Sequence, residues 1–494
     1  DVRALMRTGE APFVPSQNNR DRSSFLDVFP MEYPGHGVGD YRESAISVSD
    51  KSGNTAVQPL YREHKIYAGK PGLPGLPATF GSEEECETLE IVLADEVLDL
   101  TVTLYYTAFC DVDVIARSVR VTNHAKEPVY LTKVFSAALD LDAEDYRMLT
   151  LHGSWARERQ IEYRQIGYGK QSVGSCRGES SHQEHPFVAL VSANAGQEQG
   201  RVYGFHFVYS GNFLAQVEKN QFDSLRVVMG IHPQDFKWEL KQGETFTAPE
   251  VVLTYSDAGL GGMTRTLHDL YRKHLIRSPY KDRERPVLIN NWEATYFEFD
   301  TEKLLAIARE AKKSGIEMLV MDDGWFGHRN DDNTSLGDWQ INEQKITGGL
   351  KRLVDQVNEI GLEFGIWFEP EMISPDSDLY RTHPDWAIAL PGRTPCRSRN
   401  QYVLDLSRKE VRDYAYECVA SILRSANIAY VKWDMNRQLT DLGSSALPVE
   451  NQGELLHRYV LGVYELQERL ITEFPELLLE NCSGGGARFD PGML

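Results

Sequence analysis

Five short apolar runs in the C-terminal half of this chain each end in acids, amides and indoles. Asn290, Asn291, Trp292 and Glu293 close the first, and Asp322, Asp323, Gly324 and Trp325 the second. Trp367, Phe368, Glu369, Pro370 and Glu371 close the third, and Lys432, Trp433, Asp434, Met435 and Asn436 the fourth. The fifth ends in Glu480, Asn481, Cys482, Ser483 and a glycine run. The set is rich in carboxylates and aromatics and poor in His, with no trio of metal ligands. Carboxylate oxygens accept hydroxyl hydrogen bonds, and an indole face covers the apolar C–H side of a sugar ring. Paired carboxylates also cleave glycosidic bonds, so these residue types in this pattern point to carbohydrate chemistry.

Asp434 is the candidate nucleophile. At the end of an apolar strand it is held rigidly, and Lys432, two residues back on the same strand face, helps keep it ionised. The alternative is a structural ion pair between Lys432 and Asp434 that caps the strand. Asp322 and Asp323 are either ligand-binding acids or plain Asp-Asp-Gly turn chemistry. Glu369 and Glu371 either act as acid/base groups or fix a loop through its backbone N–H groups. Arg399 either clamps a substrate oxygen or pairs with nearby acids, and the Cys482–Gly485 segment offers backbone N–H groups at close range. Trp292 and Trp367 are either core or platform.

The elements that must position these residues follow from periodicity. Up to about residue 280, runs such as LEIVLADEVLDLTVTLYYTAF and VYGFHFVYSG alternate apolar and polar residues between Gly, Asn, Asp and Pro turns, the texture of a large β-sandwich. A charged, proline-closed linker, Lys281 to Pro286, follows a helical stretch, and the boundary is expected there: residues 1–280, then 281–494. Beyond it short apolar strands alternate with amphipathic helices, which implies a parallel sheet, doubly wound or closed as a (β/α)8 barrel. The barrel is favoured, because no GxGxxG follows the first strand and every strand end is chemically dressed. Five strands are countable by Leu494, so the barrel is expected to be incomplete within this chain.

With 494 residues the chain exceeds one ordinary core, and its 41% hydrophobic and 10% aromatic content is that of a globular protein. A formal charge of −21 argues against a nucleic-acid partner. No run approaches the ~20 apolar residues of a membrane span, and no membrane partner is expected. Six scattered cysteines without CxxC pairs suit a reducing, cytoplasmic setting. The start, DVRALMRTGE, has no signal peptide and reads as internal, and the end reads as equally abrupt.

Taken together, NNWEA, MDDGWFGHRNDD, GIWFEPEM, KWDMN and ENCSGGGARFDPGM resemble the motif series of α-galactosidases of glycoside hydrolase family 36, and EYPGHGVGDYR and SWARER extend the resemblance to the N-terminal half. It implies an N-terminal β-supersandwich, a (β/α)8 TIM-type barrel and a C-terminal β-domain that this chain does not include. It also implies cofactor-free, metal-free retaining hydrolysis of terminal α-1,6-galactosides such as melibiose and raffinose. Matched motif to motif, Asp434 takes the nucleophile's place and Asp322 and Asp323 bind the hydroxyls at positions four and six. Lys432 and Arg399 take other ring oxygens, Cys482 and Gly485 the position-two side, and Asn436 joins the substrate-binding set, while Trp292 and Trp367 wall the pocket. Trp155 in SWARER matches a loop that tetrameric relatives insert into a neighbour's site. The family's acid/base aspartate is expected beyond Leu494. Galactosyl transfer, α-N-acetylgalactosaminidase or β-L-arabinopyranosidase activity on the same scaffold, and inactive sugar binding, remain alternatives.

Overall fold

The computed structural model describes residues 26–494, so the opening DVRALMRTGE lies outside the described residues. The chain divides into two compact units, one reaching to Ile276 and including Phe489–Leu494, the other Arg277–Arg488. No helix among the described residues is long and apolar enough to cross a membrane.

The first unit is antiparallel β. Its larger sheet has ten strands, from Leu60–Ala68 at one edge to Arg157–Gln165 at the other, and its smaller sheet has six, with Val129–Asp142 at the centre of the hydrogen-bonding. Alternation explains the pleat: along Leu100–Phe109 the side chains of Leu100, Val102 and Leu104 are buried between partly exposed threonines. Helix Gly259–His274 lays Leu260, Met263, Leu267 and Leu270 onto the larger sheet's core, among Phe109, Ala116 and Val252. At the smaller sheet two arginines and two aspartates have their side chains buried together. Arg42 meets Asp40 at 2.9 Å and Asp140 at 3.2 Å, and Arg226 meets the same acids at 2.9 and 2.7 Å. Each charge thus has two opposite partners, which is what lets four of them leave water together.

The second unit is α/β. Its strands are β1 (Leu288–Asn290), β2 (Met318–Met321), β3 (Glu363–Phe368), β4 (Tyr430–Trp433) and β5 (Leu478–Asn481). Its longer helices are α1 (Thr301–Lys313), α2 (Leu350–Ile360), α3 (Lys409–Ser425) and α4 (Leu455–Glu473). All neighbouring strands are parallel, and the sheet order is the chain order, β1-β2-β3-β4-β5. A doubly wound sheet reverses direction at a switch point, whereas a barrel adds every strand on the same side. The strands read as continuous apolar runs because helices cover the sheet, and all four residues of β2 are buried.

Local chemistry marks the joins. Asp300 caps α1 by accepting the Lys303 N–H at 2.9 Å, and Gly361 ends α2 in the left-handed region at φ 93°. Inside β3, Gly365 leaves room for a neighbour, since a Cβ there would lie 2.6 Å from Cδ1 of Tyr430 on β4.

Candidate active site

Parallel strands of one sheet deliver their C-terminal ends to one rim, and the polar residues beyond β1 to β5 meet there. Asp434 is the first residue past β4, with its backbone N–H on the Phe368 carbonyl at 2.8 Å. Its side chain is 5% exposed. Oδ2 accepts the Trp367 indole N–H at 3.0 Å and the Asn436 amide at 2.7 Å, and Oδ1 accepts the backbone N–H of Met435 at 3.0 Å and of Gly484 at 3.3 Å. Four donors from three strand ends therefore fix the plane of this carboxylate, and none of them is a cation.

The cation beside it belongs to a different acid. Lys432 donates to Oδ2 of Asp322 at 2.9 Å, so the alternative of a structural Lys432–Asp434 ion pair does not hold. The physical reason is the register: Lys432 stands opposite Trp367 on β3, and one strand further Asp322 follows β2. Burial works against the charge on Lys432, but Asp322 and, further off, Asp434 outweigh it and raise its pKa. Asp322 is also held by the Asn290 side-chain amide, and its backbone N–H donates to Asn291 at 2.8 Å. Asp323, 6% exposed, is gripped by Arg329, with Nε–Oδ1 at 2.6 Å and Nη2–Oδ2 at 2.8 Å. Burial still raises the Asp323 pKa, with Arg329 opposing. The Asp-Asp-Gly segment is thus a pair of buried, cation-matched acids.

The tryptophans divide their tasks. Trp367 is 2% exposed, so it is not an open platform, and its indole orients Asp434. Trp325 and Trp433 are fully buried, donating to the Trp367 carbonyl at 2.9 Å and to Glu371 at 2.7 Å. Trp292 is half-buried, edge-on to Tyr296 and Phe297, and keeps part of its indole open.

Glu371 proves to be a knot. Both its oxygens pair with Arg488, at 2.6 and 2.9 Å, and the same oxygens accept the Trp433 indole and, at 2.5 Å, the Tyr459 hydroxyl. All four acceptor positions are filled, which removes Glu371 from acid/base work and ties the ends of β3 and β4 to the loop after β5 and to α4. Arg488 closes the loop that contains Cys482, Gly484 and Gly485. Burial pushes the Cys482 thiol up to about 12, with Asp434 adding to the shift. Gly484 and Gly485 take φ 54° and 100°, a left-handed path that turns the Gly484 N–H toward Asp434, while the Gly485 carbonyl accepts the Ser483 N–H at 2.9 Å.

Two expected residues stand apart. Arg399 is exposed on a turn whose central residues, Arg399 and Asn400, both have positive φ, 54° and 59°. It pairs with no acid among the described residues; its neighbours Asn400 and Gln401 are the ones tied down, to Asp332 at 3.1 Å and Glu369 at 2.7 Å. Trp155 lies in the first unit, 72% exposed at the tip of the hairpin between Tyr146–Ser154 and Arg157–Gln165. Asn291, Arg329, Gly484 and Gln401 carry site contacts that sequence reasoning did not assign. Arg329 sits six residues after Asp323 within a motif already singled out, which was the available signal.

A buried carboxylate at a parallel-strand end with no ion-pair partner among the described residues, two further matched acids and a half-open indole, in a chain that also carries a β-sandwich unit, defines a carbohydrate-processing catalytic domain. The comparisons with known proteins agree. Residues 245–494 match the Melibiase family, and residues 3–241 match the glycosyl hydrolase family 36 N-terminal domain. The chain is 53% identical over its whole length to alpha-galactosidase AgaA of Geobacillus stearothermophilus and 50% identical over 96% of its length to alpha-galactosidase 1 of Pediococcus pentosaceus. It spans 68% of the first and 65% of the second, about two thirds of these relatives. It superposes on the AgaA crystal structure with a TM-score of 0.96, covering 100% of this chain and 68% of that one. An AgaA variant solved in complex with raffinose gives 0.96 over 99% and 68%. The chain belongs to glycosyl hydrolase family 36.

Proposed function

We propose that the intact protein is a retaining α-galactosidase in which Asp434 is the nucleophile. The observation that carries this reading is the Asp434 carboxylate, oriented by four neutral donors and paired with no cation. Asp434 attacks the anomeric carbon, the bond to the leaving oxygen breaks, and a second carboxylic acid protonates that oxygen. The same acid then takes a proton from water, which cleaves the ester to Asp434; the two carboxyl groups stand ~5–5.5 Å apart in this mechanism. The reading expects that second carboxylate beyond Leu494. Within the chain Asp490 is occupied by the Ser180 and Ser210 hydroxyls, each at 2.7 Å, and Glu371 by Arg488.

Asp322 and Asp323 retain acceptor positions for the hydroxyls at positions four and six of galactose, and Lys432 and the exposed Arg399 are assigned to other ring oxygens. Cys482 and Gly485 face the position-two side, Asn436 adds its amide beside the nucleophile, and Trp292 walls the sugar. Raffinose-type α-1,6-galactosides are the proposed substrates, supported by the raffinose complex of the AgaA relative. Trp155, exposed at a hairpin tip, is proposed to serve a neighbouring copy's site in a homotetramer. Proton NMR of raffinose hydrolysis by the full-length protein tests the mechanism. The first galactose released must be the α anomer, and initial release of the β anomer would exclude double displacement.

A further inference from the structure

Both glutamates flanking Pro370 are buried, and only one is matched by a cation. Glu371 has Arg488 at 2.6 Å, whereas Glu369, 1% exposed, takes part in no ion pair among the described residues. Oε1 of Glu369 accepts the Gln401 side-chain amide at 2.7 Å and the Asn436 backbone N–H at 2.5 Å. Asn436 in turn gives its own amide to Asp434 at 2.7 Å. The charged groups around Glu369 are few. Asp434 faces it from the end of β4, and Arg329 faces it from the loop after β2 with its guanidinium already bidentate on Asp323. Arg437 is engaged by the carbonyls of Cys396 and Gln401. A buried carboxyl with no ion-pair partner, next to a second buried carboxyl that holds a charge, is driven toward its neutral form.

We propose that Glu369 works as an uncharged carboxylic acid, a positioning residue that holds Asn436 against Asp434 and leaves the negative charge of this corner on the nucleophile. The direction of its titration agrees: burial first, and then the charge on Asp434, push Glu369 up to about 8. Its role in the proposal is to position Asn436, to which its Oε1 is hydrogen-bonded, and the proton donor to the leaving oxygen is left to a separate carboxyl. The inference rests on the reading of Asp434 as nucleophile, and its first test is independent of that reading.

Glu369→Gln in the full-length protein keeps both accepted hydrogen bonds and cannot ionise. The infrared difference spectrum of wild type minus E369Q at neutral pH is expected to show the carbonyl stretch of a protonated carboxyl. A carboxylate band in its place overturns the proposal whatever residue is the nucleophile. If E369Q folds poorly, the same band is followed in ¹³C-glutamate-labelled wild type, where it must fade around the titration at about 8 and overturns the proposal if absent at neutral pH. In turnover, the wild type is expected to lose kcat/KM on raffinose as pH rises through the Glu369 titration, and E369Q is expected to show no such alkaline fall. Loss of raffinose hydrolysis with activity on an activated aryl galactoside spared would make Glu369 the proton donor and overturn the assignment. Failure of the parent reading shows separately, as covalent labelling away from Asp434 with the infrared band unchanged.

Discussion

Asp323 and Asp434 are both buried carboxylates at strand ends, but the structure treats them oppositely. Asp323 is matched by a two-point grip from Arg329, while Asp434 is hydrogen-bonded by neutral donors, with the Lys432 cation paired to Asp322 instead. A group that binds a hydroxyl keeps its charge matched throughout, whereas a nucleophile must lose its charge when the ester forms, and a permanent cation would oppose that step. Arg329→Met is accordingly expected to cost about 3–5 kcal/mol of stability, because it leaves Asp323 buried and unpaired. It is also expected to abolish measurable galactose binding. Urea unfolding and titration calorimetry check the two effects, and a fully stable, binding-competent variant would contradict the role given to the grip.

Individual strands set which side chains share a face, and the loops after them decide which faces meet. Glu371, Trp433, Arg488 and Tyr459 join the ends of β3 and β4, the loop after β5 and α4 through one buried carboxylate. Removing only the cation, by Arg488→Met, is expected to cost about 3–5 kcal/mol and to release the Cys482–Gly485 loop from Asp434. The double replacement Glu371→Met with Arg488→Met is expected to recover part of that stability, which thermal denaturation of the single and double variants reads directly. The five strands were legible because each is a short apolar run ending in chemistry, and the position of Asp434 just past a strand end was legible from the same pattern. The partner of Lys432 was not. Period-two reasoning relates Lys432 to Asp434 within one strand, but the contact made is to Asp322, 110 positions away and two strands over. Arg488 and Glu371, 117 positions apart, were hidden for the same reason. Left-handed backbone at Gly484, which turns a donor toward the nucleophile, has no signature beyond the glycine run itself.

At the scale of the whole molecule, the first unit carries a buried charge cluster that links stability to acid pH. In the buried quartet, burial tends to raise the Asp40 pKa, but Arg42 and Arg226 outweigh it and leave it below the ordinary value of 3.8. A depressed carboxylate stabilises the fold above its unfolded pKa and loses that contribution as pH falls through the folded value. The loss therefore begins as pH approaches 3.8 from above and is complete below the folded pKa of Asp40. Asp40→Asn is expected to lower stability at neutral pH and to flatten the acid limb of a plot of unfolding free energy against pH. An unchanged acid limb would place the acid sensitivity elsewhere. The alternating strands of this unit were readable from the sequence, but a four-charge cluster assembled from residues 40, 42, 140 and 226 was not, since nothing in the spacing of those residues brings them together.

Covalent trapping decides the central assignment. The full-length protein, inactivated with a fluorinated galactosyl donor, digested and sequenced by mass spectrometry, is expected to show one galactosyl label on the peptide containing KWDMN, at Asp434. A label on any other carboxylate, Glu369 included, would contradict the account.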